Sequence, residues 1–200
     1  MSKKVYSLIT LISSLVGLIV ALIFYMPFDN SFRPWANYIS DIGAGPIGAV
    51  ITLGLMEGFI GVFVFLLLIV IAKENEKSTK KTLFLIFGSI AQASILLIAI
   101  FPLNPINPIS YEIHRIIAIL YFGFSAITDF FLGSFEWKTR KFSAIIIILS
   151  GVFSLLFTIG FILQEFGPIP KNALVYLTEW VYFNLSMLWL ILKIIPTKKK

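Results

Sequence analysis

The chain has 200 residues, of which 58% are hydrophobic and only 13% charged, with a net charge of +6 and no cysteine. A soluble domain carries about 25% charged residues, and a mean hydropathy of +0.96 leaves too little polar surface to cover a water-soluble protein. The same hydrophobicity excludes intrinsic disorder. The lack of cysteine excludes disulfides, zinc ribbons and iron–sulfur clusters, and the single histidine, His114, excludes a haem with two histidine ligands from this chain alone.

Six apolar runs follow one another along the chain, each long enough for a helix that crosses a membrane, which needs about 20 mostly apolar residues. The short alternating segments of a β-barrel are not seen. The first run is too long for a signal peptide and is followed by Pro27 and Phe28 rather than small residues, so we interpret it as a retained helix. We predict an all-α, polytopic membrane protein with one six-helix transmembrane domain over residues 1–200 and spans at 5–26, 47–72, 82–101, 113–134, 143–164 and 174–195.

Thirteen of the sixteen basic residues lie on one side of these spans, in the two termini and in the second–third and fourth–fifth loops. Only Arg33, Arg115 and Lys171 lie on the other side. The positive-inside rule therefore predicts cytoplasmic termini in a multi-pass protein of the cell membrane. We interpret the basic tail, which includes 198–200, as a topology determinant that contacts anionic lipid. No basic domain is present, so we predict no nucleic-acid partner.

The connecting segments of the two sides differ in kind. Those on the cytoplasmic side are short and rich in lysine, including Lys77. Those on the other side, 27–46, 102–112 and 165–172, are rich in proline, asparagine and acidic residues, and proline makes such segments rigid. Because ordered loops carry function more often than plain ones, we expect the long, proline-rich extracytoplasmic segments to hold the activity.

Ionisable residues inside the predicted spans need a partner, a water-filled cavity or a function, because each costs at least about 2.5–3.5 kcal/mol to insert. Glu57 lies about halfway along the second span, Glu179 lies in the sixth, and Asp129 lies near the inner end of the fourth. Gln92 and Asn184 are their uncharged counterparts. The fourth span also carries a polar stripe at steps of three and four residues, which places it on one face, directed into the bundle. The stripe comprises His114, Ala118, Tyr121, Ser125 and Thr128 or Asp129.

The start of the fourth span allows two interpretations. With Ser110 as the N-cap, His114 and Arg115 open a helix whose N-terminus favours a phosphate or carboxylate. Alternatively, Glu112 pairs with Arg115 at a spacing of three residues, and His114 bonds a loop carbonyl. Both interpretations stay open at this point.

Small residues in two spans are interpreted as packing surfaces. Gly54, Gly58 and Gly61 allow close approach to the second span, and the hydroxyls of the fifth span lie largely on one face. The aromatic residues near the outer boundary are most simply an interfacial belt. The fifth-span residues are Ser143, Ser150, Gly151, Ser154 and Thr158, and the belt comprises Trp35, Tyr38, Tyr111, Tyr176 and Trp180.

Polar residues from four sequence regions gather in the predicted outer half and form the candidate site. We predict Asp41 or Glu57 as a general base and His114 as an acid or phosphate contact. These groups are chemically able to hold a divalent metal, but no spaced ligand motif supports one, so no cofactor is predicted and the metal stays unknown. The substrate-binding candidates are Asn37, Ser40, Asn104, Glu112, Arg115 and Glu179.

Two short motifs resemble a known family. The element NYISDIG at 37–43 and the "FP…H" element formed by Phe101, Pro102 and His114 are similar to motifs of DUF998, a prokaryotic family of six-helix membrane proteins with no settled activity. The Frag/DRAM/Sfk group of eukaryotes has a similar Ile-Ser-Asp-x-Gly element. That resemblance implies a connection to membrane-lipid remodelling or regulation. The combination of Ser40 and Asp41 with His114 is also similar to a pattern of hydrolases of the alkaline ceramidase type, whose zinc site needs several histidines.

Together these features lead to one functional hypothesis and two alternatives. We expect an outward-facing polar cavity that binds a lipid headgroup or similar amphiphile, with membrane lipid as the partner, and we leave open whether the protein is an enzyme that modifies it. One alternative is a non-catalytic subunit that packs against partner membrane proteins. The other is a small proton or cation transporter that uses Glu57, Asp129 and Glu179 as a relay.

Overall fold

The computed structural model describes residues 2–75, 78–104, 106–167, 169–170 and 172–196. Over these ranges the chain forms six long α-helices and one short 3₁₀ helix, with no strand, which confirms the all-α class. Each α-helix is long and apolar enough to cross a membrane. The helices are α1 (Lys3–Tyr25), α2 (Ile47–Glu74), α3 (Thr79–Ile100), α4 (Pro108–Glu136), α5 (Lys141–Glu165) and α6 (Ala173–Ile194), and the 3₁₀ helix is Ile39–Ala44.

Helix α4 begins at Pro108, earlier than the predicted start at residue 113. Asn107 is its N-cap, because its Oδ1 accepts hydrogen bonds from the backbone N–H groups of Ile109 and Ser110 at 3.1 and 3.2 Å. The prediction of Ser110 as the N-cap is wrong: its hydroxyl lies within the first turn and donates to the Pro102 carbonyl at 3.3 Å. His114 therefore lies beyond the first turn, away from the free N–H groups of the helix start.

The six helices form a closed ring. Each helix packs against its sequence neighbours, and α1 also packs against α6. Short connections between long helices, here those from α2 to α3 and from α4 to α5, favour this antiparallel, up-and-down order. On α1 the innermost side chains are small, with Ser7, Thr10 and Ser14 fully buried. Small residues let helix backbones approach closely, and Gly17 lies so near α2 that an added Cβ would be 2.6 Å from Cβ of Met56.

The hydroxyl groups of α5 join it to both neighbours, as predicted. Ser154 donates to the Phe122 carbonyl of α4 at 2.7 Å, and the hydroxyls of Ser150 and Ser186 of α6 are 2.9 Å apart. The glycines of α2 agree with the packing interpretation only in part. A Cβ at Gly54 would lie 3.1 Å from a carbonyl of α3, whereas a Cβ at Gly58 would meet nothing within 4 Å.

Two ion pairs lie at the end of the bundle where α1 begins and α2 ends, here called the lysine-rich end. Lys193 donates to Glu136, and both side chains are buried. Lys3 pairs with Glu74 at the surface. Glu136, two residues beyond the predicted end of the fourth span, is thus a buried part of α4. The lysines at 77, 171 and 198–200 lie outside the described residues, and the predicted sidedness stays a prediction.

Candidate functional site

A cavity of about 290 Å³ lies at the opposite end of the bundle, where the segment between α1 and α2 folds back over the helices. We call it the loop-end cavity. The structure brings six of the nine predicted site residues to its wall and leaves the other three outside it. Those that line the cavity are Ser40, Asp41, Glu57, His114, Arg115 and Glu179.

Three hydrogen bonds fasten the segment around the 3₁₀ helix to α5 and α6. The Tyr38 hydroxyl donates to Oε1 of Gln164 at 2.7 Å, and the Ile39 N–H donates to Oε2 of Glu179 at 2.8 Å. Nε1 of Trp180 donates to the Asn37 carbonyl at 3.0 Å. Because these bonds join segments distant in sequence, they hold one wall of the cavity at a defined position over the bundle.

Tyr38 is buried, which contradicts its assignment to the interfacial belt. Its ring packs against Phe157, Phe161 and Tyr176, with ring centroids 5.7, 5.6 and 4.4 Å away. Burial raises the pKa of the Tyr38 hydroxyl well above its usual range. The hydroxyl therefore keeps its proton and serves as the donor to Gln164. The sequence placed this residue in the belt because an aromatic near the membrane boundary is ordinarily an interfacial anchor.

Asp41 lines the cavity and also stabilises the 3₁₀ helix. Its Oδ2 accepts a hydrogen bond from the Tyr38 N–H at 2.8 Å, a bond that holds the start of this short helix as a capping residue does. One carboxylate oxygen of the predicted base is therefore already engaged. Glu179 has the same double placement, because it lines the cavity and anchors Ile39.

His114 is held in a defined orientation. Its Nδ1 lies 2.9 Å from the Phe101 carbonyl. A carbonyl oxygen only accepts, so Nδ1 carries the proton, and in the neutral ring Nε2 is an acceptor. The second interpretation of this region, in which His114 bonds a loop carbonyl, is confirmed by this geometry. The residue is 4% exposed and lines the cavity.

Arg115 is held by two carboxylates. Its Nη1 lies 2.7 Å from Oε1 of Glu112, as that second interpretation expects. Its Nη2 lies 3.0 Å from Oε2 of Glu165 and donates to the Glu165 carbonyl at 2.9 Å. The ring of Phe166 lies 4.4 Å from the guanidinium carbon. Glu165 lines the cavity, and sequence reasoning missed it; the signal available was that a buried arginine needs an acidic partner.

Glu57 differs from the other carboxylates at the cavity. It is half-buried, and within the described part of the chain no hydrogen bond or ion pair engages its carboxylate. The described lining of the cavity includes four carboxylates and one arginine. That arginine, Arg115, forms ion pairs with Glu112 and Glu165. The loop-end cavity is thus acidic, and Glu57 is the carboxylate of the described lining that no hydrogen bond or ion pair engages.

The three predicted binding residues outside the cavity stabilise loops or α4. Asn104 is exposed, and its Oδ1 accepts from the N–H groups of Ile106 and Asn107 at 3.0 and 3.3 Å. Oδ1 of Asn37 accepts from the Arg33 N–H at 2.9 Å. Glu112 is exposed on the first turns of α4. In the described ranges no group of three or more His, Asp or Glu side chains is placed to hold a metal ion.

The two sequence motifs meet beside the cavity. Gly43, at the end of NYISDIG, lies against the "FP…H" element, since a Cβ there would be 3.9 Å from Cβ of Pro102 and 3.7 Å from the Leu103 nitrogen. The histidine of that element bonds the carbonyl of its phenylalanine. The two motifs therefore form one structural unit beside the loop-end cavity.

A family model described as "Protein of unknown function (DUF998)" matches residues 11–194. The chain belongs to the DUF998 family. The match runs from within α1 to the last residue of α6, so the loop-end cavity lies wholly inside the region that defines a DUF998 protein. No match was found among the curated proteins or among the solved structures.

Proposed function

We propose that the loop-end cavity of this membrane protein binds the headgroup of a lipid or a similar amphiphile through a cationic group. The observation that carries the proposal is Glu57, a carboxylate without a partner inside an otherwise mostly apolar cavity. A carboxylate in such surroundings is stabilised by an opposite charge. An ammonium group of the ligand supplies that charge, and Glu179 also lines the cavity.

The rest of the lining suits the apolar part of an amphiphile. Aliphatic side chains from α2 and α3, including Ile60 and Ile95, share the wall with Phe122, Phe157 and Phe161. Aromatic faces also attract a cation when water is excluded. A pocket that is mostly apolar with a few polar groups is the usual form of a small-molecule site.

The charges of the cavity lining favour a cationic group over a phosphate as the part of the ligand that contacts Glu57. Arg115 is the basic side chain of the described lining that is always charged, and Glu112 and Glu165 already occupy its two terminal nitrogens. A phosphate at Glu57 would face carboxylates without a free cation beside them. We place this ligand site on the extracytoplasmic side, because the lysine-rich segments lie at the other end.

A second candidate function, chemical modification of the bound lipid, is supported by the orientation of His114. Its Nδ1–H bond to Phe101 makes Nε2 the acceptor, as a general base requires. Glu57 is a second acid–base group in the lining of the cavity. Loss of a lipid product in cells on His114→Ala, with the protein still folded, is the expected sign of this activity.

Binding is tested with Glu57→Gln, which removes the charge and keeps the shape. The purified protein is titrated in neutral detergent with phosphatidylethanolamine, which carries an ammonium group, and with phosphatidylglycerol, which does not, and occupancy is read by native mass spectrometry. We expect binding of phosphatidylethanolamine over phosphatidylglycerol, weakened about tenfold or more by the substitution. Glu74→Gln, at the other end of α2, is the matched control.

Three results would count against this proposal. Equal occupancy by both lipids would refute recognition of a cation, and full binding by Glu57→Gln would refute the assigned residue. A stoichiometric protein partner and no bound lipid would favour the subunit alternative. The transporter alternative instead requires ion or proton flux in proteoliposomes that Glu57→Gln abolishes.

A further inference from the structure

A second cavity, of about 80 Å³, lies in the middle of the bundle between α1, α2, α3, α4, α5 and α6. We call it the mid-bundle cavity. It is separate from the proposed lipid site, although both share a wall that includes Tyr121 and Tyr182, whose hydroxyls are 3.3 Å apart. One water molecule needs about 10–15 Å³ of cavity volume. The mid-bundle cavity therefore has room for a small ligand with a few waters.

Four buried polar side chains at this cavity have atoms without a hydrogen-bond partner. They are Oδ2 of Asp129, Oε1 of Gln92, Oγ of Ser125 and Nε1 of Trp189. Each residue lines the cavity and is at most 7% exposed. Unpaired buried polar atoms are rare because each costs about 1–3 kcal/mol. Four of them around one cavity therefore indicate a ligand rather than four independent defects.

The chemistry of these atoms selects the ligand. Three of the four are oxygens, and they come from two helices, with Ser125 and Asp129 one turn apart on α4 and Gln92 on α3. The hydroxyls of Thr10 and Thr128 also line the cavity, but each already donates to a carbonyl of its own helix and keeps its lone pairs. Carboxylate, amide and hydroxyl oxygens are the ligands of hard cations.

The charge of the site sets the charge of the ion. Asp129 is the one acidic residue in the described lining, and no lysine, arginine or histidine accompanies it. Lys138, which follows α4 in the chain, is exposed at the end of the bundle. Lys193, one turn from Trp189, is paired with Glu136. One buried carboxylate balances one positive charge.

We propose that the mid-bundle cavity binds a monovalent metal cation, with Na⁺ as the probe, through Asp129, Gln92 and Ser125. A proton on Asp129 would neutralise that carboxyl group but would leave Oε1 of Gln92 without a partner, whereas the Ser125 hydroxyl also lies within reach of Tyr182. A cation takes all three, and a water of its shell accepts the hydrogen bond of Trp189. The site uses a buried acidic residue that the lipid-binding proposal leaves unexplained.

The experiment measures ²²Na⁺ binding to the full-length protein in neutral detergent, with choline chloride holding the ionic strength constant. We expect saturable binding of about one Na⁺ per chain, accompanied by a Na⁺-dependent rise in melting temperature. Asp129→Asn removes the charge and is expected to abolish both effects. Gln92→Leu and Ser125→Ala are each expected to weaken binding about tenfold, so the proposal remains testable if Asp129→Asn fails to fold.

Glu74→Gln, an exposed acidic residue far from the cavity, is the matched control and is expected to keep full binding. The proposal is overturned if the wild-type protein shows no saturable ²²Na⁺ binding above the choline background. It is equally overturned if the melting temperature follows pH but not Na⁺, since the cavity then holds a proton and water only. Unchanged binding in both Gln92→Leu and Ser125→Ala would also refute the assigned ligands. None of these results depends on lipid binding.

Discussion

Removal of the buried cation at the lysine-rich end, Lys193, is expected to destabilise the bundle strongly. Lys193 donates to Glu136, which also accepts the Ser143 hydroxyl at 2.6 Å. The two charged side chains are only 5% and 8% exposed. Lys193→Met keeps the apolar stem and deletes the charge, so Glu136 remains buried with one neutral donor. Removing one member of such a pair costs about 3–5 kcal/mol.

The surface pair Lys3–Glu74 provides the comparison within the same molecule. Its side chains are 36% and 52% exposed, and exposed pairs contribute about 0–1 kcal/mol. Lys3→Met is therefore expected to change stability by less than 1 kcal/mol, several times less than Lys193→Met. Equilibrium unfolding in mixed micelles, with the helical circular dichroism signal as the readout, measures both variants.

The double variant Lys193→Met/Glu136→Leu isolates the reason for the loss. Replacing a whole buried ion pair by apolar side chains of similar volume is often neutral or stabilising, so the double variant is expected to recover most of the stability lost by Lys193→Met. A Lys193→Met cost no larger than that of Lys3→Met would refute the reasoning. So would a double variant as unstable as the single one.

Two further predictions concern a helix contact and a loop. Gly151→Ala is expected to destabilise the bundle by about 1–3 kcal/mol, because a Cβ there would lie 3.0 Å from the Ala126 carbonyl. Gly58→Ala, which meets nothing within 4 Å, should unfold like the wild type, and equal losses would contradict this packing. Asp29 accepts from the Ser31 hydroxyl and N–H, and these bonds lower the pKa of its carboxyl. Its contribution to stability is present above the unfolded pKa and lost as pH falls through the folded pKa. Ser31→Ala should raise that pKa toward 3.8 in an NMR titration, and no change would refute the assigned cause.

The amino-acid sequence by itself determined the membrane class, the six helices and the inward stripe of α4. These follow from local quantities, namely the length of each apolar run and the spacing of polar residues along one helix. Hydrocarbon cannot satisfy a backbone polar group, so a long apolar run must become a helix wherever its neighbours lie. The inward face of α4 follows likewise, because His114 and Asp129 cannot face lipid without a large cost.

Only the tertiary structure decided which polar groups meet. The pairing of Arg115 with Glu165 and the bond between Tyr38 and Gln164 join residues of different helices and loops. Helical periodicity gives the face of one helix but not the rotation or depth of the helix opposite. The same limit applies to the mid-bundle cavity, where the unpaired atoms of Gln92 and Asp129 become a site only because α3 and α4 bring them to one wall. When the hydrogen-bond or ion-pair partner of a residue is distant in sequence, the packing of the helices decides which residue it is.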